Sequence, residues 1–261
     1  MMLLEGKVAI VSGIGPGMGR DISLKLAEHG ADVVLGARRT EKSEEVAEEV
    51  RALGRRAEVV SLDITDAAAC EEAVARAVGA FGGLDILVNN AFHDGNRKAF
   101  LDAPLEEWRQ TMEVNFWGTL QMTRAAAPAM IERGGGRVVM VNTMSAHRIE
   151  PTYGAYAASK GALETVTKTL ATELGAHGIR VNGIHPGYIW GDSVEWYFGY
   201  LGKKRGISGD EVYQEVASET ALGYLPHSSE IAGSVVFFAS ELSKPVTGQS
   251  LDVNCGHWMS P

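Results

Sequence analysis

At 261 residues, 45% hydrophobic and 22% charged, the chain has the composition of a globular domain with a sizeable core, which excludes a disordered or fibrous protein. A formal net charge of −9 with no basic run repels phosphate backbones and argues against nucleic acid as a partner, and no apolar run is long enough to span a bilayer. Two cysteines, Cys70 and Cys255, are too few for a disulfide framework or a thiolate metal site, and the apolar patch in MMLLEGK is too short for a signal peptide; the expectation is a cytoplasmic protein with no metal and no membrane partner.

Residues 7–20, KVAIVSGIGPGMGR, organise the rest of the chain. The β-branched run 8–11 predicts a buried strand, glycines come next at Gly13, Gly17 and Gly19, and an amphipathic helix is expected over 20–29. Strand, tight turn and helix make a candidate phosphate seat, because glycine permits positive φ, leaves no Cβ in the way, and opens onto the N–H groups of a new helix. The same glycines would also serve merely to let helix and strand approach.

A second strand is expected over 31–35, running into Gly36, Ala37, Arg38 and Arg39, then a helix over 40–53 stopped by Gly54. A third strand over 57–62 leads to Asp63, Ile64 and a helix over 67–81, and a fourth over 86–88 leads to Asn89, Asn90, Ala91 and Phe92. One long helical pattern covers 104–130 and contains Asn115; strands at 137–141 and 180–184 flank a helix over 156–174. The rhythm breaks over 191–229, where Trp196, Tyr197 and Phe198 cluster, then resumes as a helix over 230–239 and a seventh strand over 249–253. Strands alternating with helices at this spacing predict an α/β fold: a Rossmann-like, doubly wound parallel sheet of about seven strands with helices on both faces, a single domain over 1–261. Ligands of such sheets bind beyond the carboxyl ends of the strands.

Tyr156 and Lys160, four residues apart, share a helix face, which puts an ammonium within reach of a phenol. A free phenol ionises near about 10, and a neighbouring cation lowers that value, making Tyr156 a candidate proton carrier. A solvated helix surface would show the same pair.

Together these residues resemble the short-chain dehydrogenase/reductase family over essentially the whole chain. Residues 12–19, SGIGPGMG, look like its TGxxxGxG cofactor turn with Ser for Thr; Asn89-Asn90-Ala91 resembles its NNAG segment, Tyr156 to Lys160 its YxxxK helix, Asn115 its helix asparagine, and Pro186-Gly187 its PG turn. The resemblance implies hydride transfer between a nicotinamide dinucleotide and a small-molecule alcohol/carbonyl pair, usually in a homotetramer or homodimer. It implies that Tyr156 carries the proton, that Lys160 lowers the Tyr156 pKa and holds the nicotinamide ribose, and that Asn115 anchors a water linking Lys160 to solvent. Gly13, Gly17, Met18, Gly19, Ile64, Asn90, Ala91, Pro186 and Gly187 join the implied cofactor set, Asp63 would accept from the adenine amino group, and Ile189 would hold the carboxamide through its backbone.

Several positions depart from the family pattern. The substrate-binding serine is replaced: thirteen residues before Tyr156 stands Thr143, with Ser145 as the rival hydroxyl. Phe92 takes the place of a glycine, so that either the loop swings away or the ring walls the pocket. Gly191 stands where a hydroxyl is common, and a phosphate contact passes to Ser193 or vanishes. At the end of the second strand an acidic residue would select NAD(H); Ala37 followed by Arg38 and Arg39 favours NADP(H), with NAD(H) possible. The stretch 191–229 sits where relatives keep a mobile substrate lid, in which Trp190 and Trp196 would offer an apolar surface to a bulky alcohol or ketone. Two other classes compete: a methyltransferase, which would want an acidic residue where Ala37 stands, and a nonenzymatic dinucleotide sensor or assembly subunit on the same fold.

Overall fold

A computed structural model describes residues 2–260, so the two outermost residues of the expected 1–261 domain lie outside it. Seven parallel strands form one sheet in the order β3-β2-β1-β4-β5-β6-β7: β1 Val8–Ser12, β2 Asp32–Ala37, β3 Ala57–Ser61, β4 Ile86–Asn89, β5 Gly136–Val141, β6 Ile179–Pro186 and β7 Ser250–Val253. Between them run α1 Met18–Glu28, α2 Glu41–Ala52, α3 Ala67–Phe81, α4 Leu105–Met112, α5 Thr119–Glu132, α6 Gly154–Leu174, α7 Asp192–Arg205, α8 Gly209–Ser218 and α9 Ser228–Ala239.

Successive side chains of a strand point to opposite faces, and β1 shows both faces dry. Ala9 and Val11 pack with Ile22 and Leu26 of α1, Val46 of α2 and Val235 of α9; Val8 and Ile10 pack with Val74 of α3, Met122 of α5 and Leu163 of α6. The register sets the site. Ser12, last in β1, pairs with Gly36 on one side and Asn89 on the other, so the chain leaves β1, β2 and β4 at one level. Strand order reverses between β1 and β4, where a doubly wound sheet opens its ligand crevice.

Two elements differ from the sequence reading. The helix expected over 104–130 is interrupted at Glu113–Gly118 by a π turn centred on Asn115, a local widening that often marks functional positions. The stretch 191–229 holds α7 and α8, which enclose a small core of Phe198, Val212 and Leu225. The start of α8 carries a legible signal: Ser208 and Glu211 form a reciprocal capping box.

Phe198→Ala would empty the centre of that small core at a cost of ~3 kcal/mol. Hydrogen exchange should show α7 and α8 losing protection while the β1 and β4 amides keep theirs; uniform loss across the sheet would show that the pair is not a separable unit.

Candidate active site

The glycines of the first turn divide the work. Gly13 has φ +86°, and a Cβ there would lie 2.5 Å from the backbone of Ala91; a Cβ on Gly19 would lie 2.3 Å from the Gly13 carbonyl oxygen. These two positions let β1, α1 and the loop after β4 meet, and Asn90 locks them together by donating from Nδ2 to the Gly13 oxygen at 2.6 Å. Gly15 and Gly17 have nothing within 4 Å of a built Cβ and leave the backbone bare. Gly17 caps α1 without any side-chain hydrogen bond, so the first-turn N–H groups, beginning at Met18, present the positive end of the helix with no side chain covering it.

The turn opens onto a cleft of about 1060 Å³ lined by Gly15, Arg38, Arg39, Asp63, Ile64 and Phe92, among others. Arg38 and Arg39 are both exposed, and neither has an ion-pair or hydrogen-bond partner among the described residues. Asp63 closes a turn rather than capping a helix: its Oδ1 accepts from the Thr65 N–H at 3.0 Å and hydroxyl at 2.7 Å, whereas Asp66 caps α3. Burial works against the Asp63 carboxylate, but the Thr65 bonds and the charge of Arg38 outweigh it and hold its pKa below the usual value. Ile64 buries its side chain against the rest of the core and can offer the cleft only backbone.

Tyr156 and Lys160 lie in the first two turns of α6 and are 9% and 2% exposed. Their electrostatics overturn the expectation that the ammonium lowers the phenol. Lys160 Nζ donates to the Val141 carbonyl at 2.8 Å and lies 5.9 Å from the centroid of the Tyr156 ring. Burial moves both groups toward neutrality: it brings the lysine down to about 8 and pushes the phenol well above its ordinary value, with Tyr153 adding to the rise. The pull in the other direction comes chiefly from the Thr143 hydroxyl bonded to the phenol.

Thr143 is in extended conformation at the end of β5, and its Oγ1 accepts from the Ser145 N–H at 3.2 Å. The two hydroxyl candidates therefore separate: Thr143 reaches the phenol, and Ser145 supports Thr143 through its backbone. Asn115 has its Oδ1 accepting from the His93 N–H at 2.7 Å and its Nδ2 donating to the His93 carbonyl at 2.8 Å and the Ser159 hydroxyl at 2.9 Å. That side chain pins the loop after β4 to α6. Gly187 lets the turn after β6 pass Asn254 and Met144, which a Cβ would meet at 2.9 and 3.1 Å. Pro186 ends β6, and Ile189 packs against the core.

At the mouth, Phe92 stands edge-on to Tyr156 with ring centroids 6.2 Å apart, so it walls the pocket. The sequence reading missed Tyr153 and Arg97. Tyr153 stacks on Tyr156 at 4.6 Å, and Arg97 lies over the Tyr153 ring at 4.4 Å and over Tyr197 at 5.7 Å. Tyr153 stands three residues before Tyr156, a helical spacing that could have flagged it. Both tryptophans expected at the substrate are elsewhere. Trp190 packs on Phe198 and Tyr213 inside the small core, and Trp196, 72% exposed, stacks on Tyr200 along the outer face of α7. The phase of α7 turns Phe198 inward and Trp196 out. Ser193 is exposed in the first turn of that helix.

A family model described as enoyl-(acyl carrier protein) reductase matches residues 13–257. The chain is 34% identical to an L-rhamnose 1-dehydrogenase (NAD(P)(+)) of Sphingomonas sp. (strain SKA58), over 100% of this chain and 99% of the relative. Its fold is similar to that of L-sorbose reductase from Gluconobacter frateurii, solved with NADPH and L-sorbose, at a TM-score of 0.93 and 30% identity over 100% and 99% of the two chains. Carveol dehydrogenase from Mycobacterium avium, solved with NAD, gives a TM-score of 0.91 and 28% identity over 98% and 99%. Among the described residues no helix is long and apolar enough to cross a membrane.

The depressed Lys160 pKa gives a signed prediction. The folded chain releases this proton near pH 8 and an unfolded lysine near pH 10.5, so between those values the unfolded state binds more protons and stability rises with pH. The melting temperature of wild type minus that of Lys160→Met should climb from pH 8 to pH 10.5, since the other alkaline groups cancel in the difference. A flat difference would place the Lys160 pKa at its ordinary value.

Proposed function

The chain belongs to the short-chain dehydrogenase/reductase family, and we propose on that premise that it is an NAD(P)-dependent oxidoreductase interconverting a secondary alcohol and its ketone, with NADP(H) favoured over NAD(H). One observation carries the reading: Tyr156, Lys160 and Thr143 converge beside Phe92, a wall of the same cleft that Gly15 and Arg38 line.

A nicotinamide dinucleotide bound in that cleft supplies a carbon centre that gives or takes a hydride. The residues present fit such a group. The bare backbone at Gly15 and Gly17 and the uncapped start of α1 suit a diphosphate, the two unpaired guanidinium groups suit a ribose phosphate, and the second Asp63 oxygen suits an adenine amino group. Tyr156 gives a proton to the carbonyl oxygen during reduction and takes it from the hydroxyl during oxidation. Its raised pKa means that at neutral pH the phenol already holds the proton that reduction consumes. Thr143, steadied by the Ser145 N–H, bonds the same substrate oxygen, and Lys160 holds the nicotinamide ribose.

The substrate class is argued from the mouth. Phe92, Tyr153 and Tyr197 offer ring faces and Arg97 a charge between two of them, which suits a small cyclic or polyhydroxy alcohol, and the similarity to a rhamnose dehydrogenase, a sorbose reductase and a carveol dehydrogenase supports an alcohol/carbonyl pair. The pair α7 and α8 acts as the lid over this mouth. A homotetramer or homodimer in the cytoplasm belongs to the same proposal, supported by an exposed apolar groove of Trp117, Leu120, Ile131, Leu170 and Leu174 between α5 and α6.

Turnover of a panel of secondary alcohols, sugars and ketones, monitored by nicotinamide absorbance, tests the assignment. Tyr156→Phe should lower kcat by ~10²–10⁴-fold, Thr143→Val should behave likewise, and Ser145→Ala should cost far less; no turnover by wild type on any member would favour the dinucleotide sensor. For the cofactor, Arg38→Ala should weaken NADPH binding by ~10–100-fold and leave NADH nearly unchanged, as measured by fluorescence titration. Equal losses for both would remove the phosphate contact from Arg38.

A further inference from the structure

A second cluster of chemistry-bearing side chains lies one turn farther along α6 from Lys160. His147 in the turn after β5, Glu164 on α6 and His185 near the end of β6 each present one ligand atom, and these atoms lie within 4.8 Å of one another. They share an open cavity of about 660 Å³ with Lys168, Gln249 and Trp258.

His185 is 1% exposed, yet its Nε2 has no hydrogen-bond partner, a condition that a folded chain seldom leaves uncompensated. Its Nδ1 lies 3.3 Å from Asp252 Oδ1, and Asp252 is itself held by the Ser260 N–H at 2.7 Å. With the proton on the Nδ1 side, Nε2 is left with a free lone pair and is the atom His185 can offer to the cluster. Carboxylate behind imidazole is the support that metal-bound histidines carry. Glu164 Oε2 comes within 2.8 Å of His147 Nε2 but out of line with the ring N–H, so the two make no hydrogen bond and Nε2 is also buried without a partner. Stacking on Trp258 at 4.4 Å and 4° fixes the His147 ring. Lys168 occupies the other carboxylate oxygen, Oε1, at 3.2 Å, leaving Oε2 to the cluster.

We propose that His147, Glu164 and His185 bind a divalent transition-metal ion of the zinc class. Two imidazoles and one carboxylate suit Zn²⁺ and its neighbours, whereas Mg²⁺ and Ca²⁺ want oxygen throughout. Zinc bonds of ~2.0–2.2 Å set the ligand atoms ~3.3 Å apart, so the Glu164–His147 pair opens slightly from 2.8 Å and the wider separations, up to 4.8 Å, close by shifts of the half-buried Glu164 and His147 side chains. The remaining coordination position faces the cavity and takes water. The ion ties together three segments that also carry the active site: His147 lies four residues after Thr143, Glu164 four after Lys160, and His185 directly before Pro186.

The test is titration of chelator-treated full-length protein with Co²⁺ and then Zn²⁺. One Co²⁺ per chain should bind, give the visible absorption of a four-coordinate site, and be displaced by one Zn²⁺, and Zn²⁺ at about 100-fold over its Kd should raise Tm by ~5 °C or more. Asp252→Asn should weaken binding by ~10–100-fold, and His147→Ala and Glu164→Gln by more, with the metal-free circular dichroism of each variant unchanged. Should His185→Ala fail to fold, the other three variants carry the test. No saturable binding at one ion per chain, or binding that survives both His147→Ala and Glu164→Gln, overturns the site.

Discussion

Asn90 holds the Gly13 carbonyl at 2.6 Å while the bare Cα of Gly13 rests against the backbone of Ala91. That approach ties the loop after β1 to the loop after β4 at the point where the strand order reverses, and a single added Cβ on Gly13 or Gly19 would force it apart. Everything chemical in the cleft is referred to it. The start of α1 takes its direction from Gly17 and Gly19, and the loop that continues through Phe92 and His93 is carried to Asn115 and so to α6. The glycine turn and the start of α6 are thus two ends of one hydrogen-bonded chain of segments.

Burial then sets the chemistry at the far end of that chain. A phenol and an ammonium side by side in water would favour phenolate, but here both have lost water, and desolvation disfavours the charged form of each. The ammonium answers to the Val141 carbonyl and the phenol to the Thr143 hydroxyl, so the phenol stays protonated while burial brings the lysine down to about 8. On the proposed function, a substrate oxygen reaching Thr143 and Tyr156 would meet a protonated phenol rather than a stored negative charge. Charge develops only as the reaction proceeds, which is where fixed donors help most.

Legibility in the sequence depended on whether a feature is spelled in neighbouring residues. The glycine turn, the Tyr156–Lys160 pair and the alternation of strands and helices are local patterns, and the sheet, the cleft and the candidate proton carrier came from them directly. Thr143 was singled out by the family pattern, with Ser145 as its rival, and not by any local signal of its own. Direction was harder to read: Trp196 and Phe198 are two residues apart, yet the phase of α7 sends one to solvent and the other into the small core. The stacking of Tyr153 and the placement of Arg97 depend on how the 92–98 loop crosses α6, which no spacing reports. The pKa directions depend on burial, which residue identities alone do not report: desolvation raises the Tyr156 phenol where the neighbouring Lys160 suggested a lowering.

The stripe of α6 that carries Tyr156 does not end with Lys160. Tyr156, Lys160, Glu164 and Lys168 recur every fourth residue, and because four residues slightly exceed one turn, the stripe drifts around the helix as it descends. At its top it faces Thr143 and the cleft; one turn below Lys160 it has rotated far enough for Glu164 to face His147, the residue four beyond Thr143. The turn after β5 is therefore gripped twice by the same helix, once through a phenol and a hydroxyl and once through a carboxylate and an imidazole. A rotation of α6 that moved Tyr156 relative to Thr143 would move Glu164 relative to His147 in the same sense. The two polar clusters share one helix and one turn, so the lower contact and the proposed proton carrier are positioned by the same two segments.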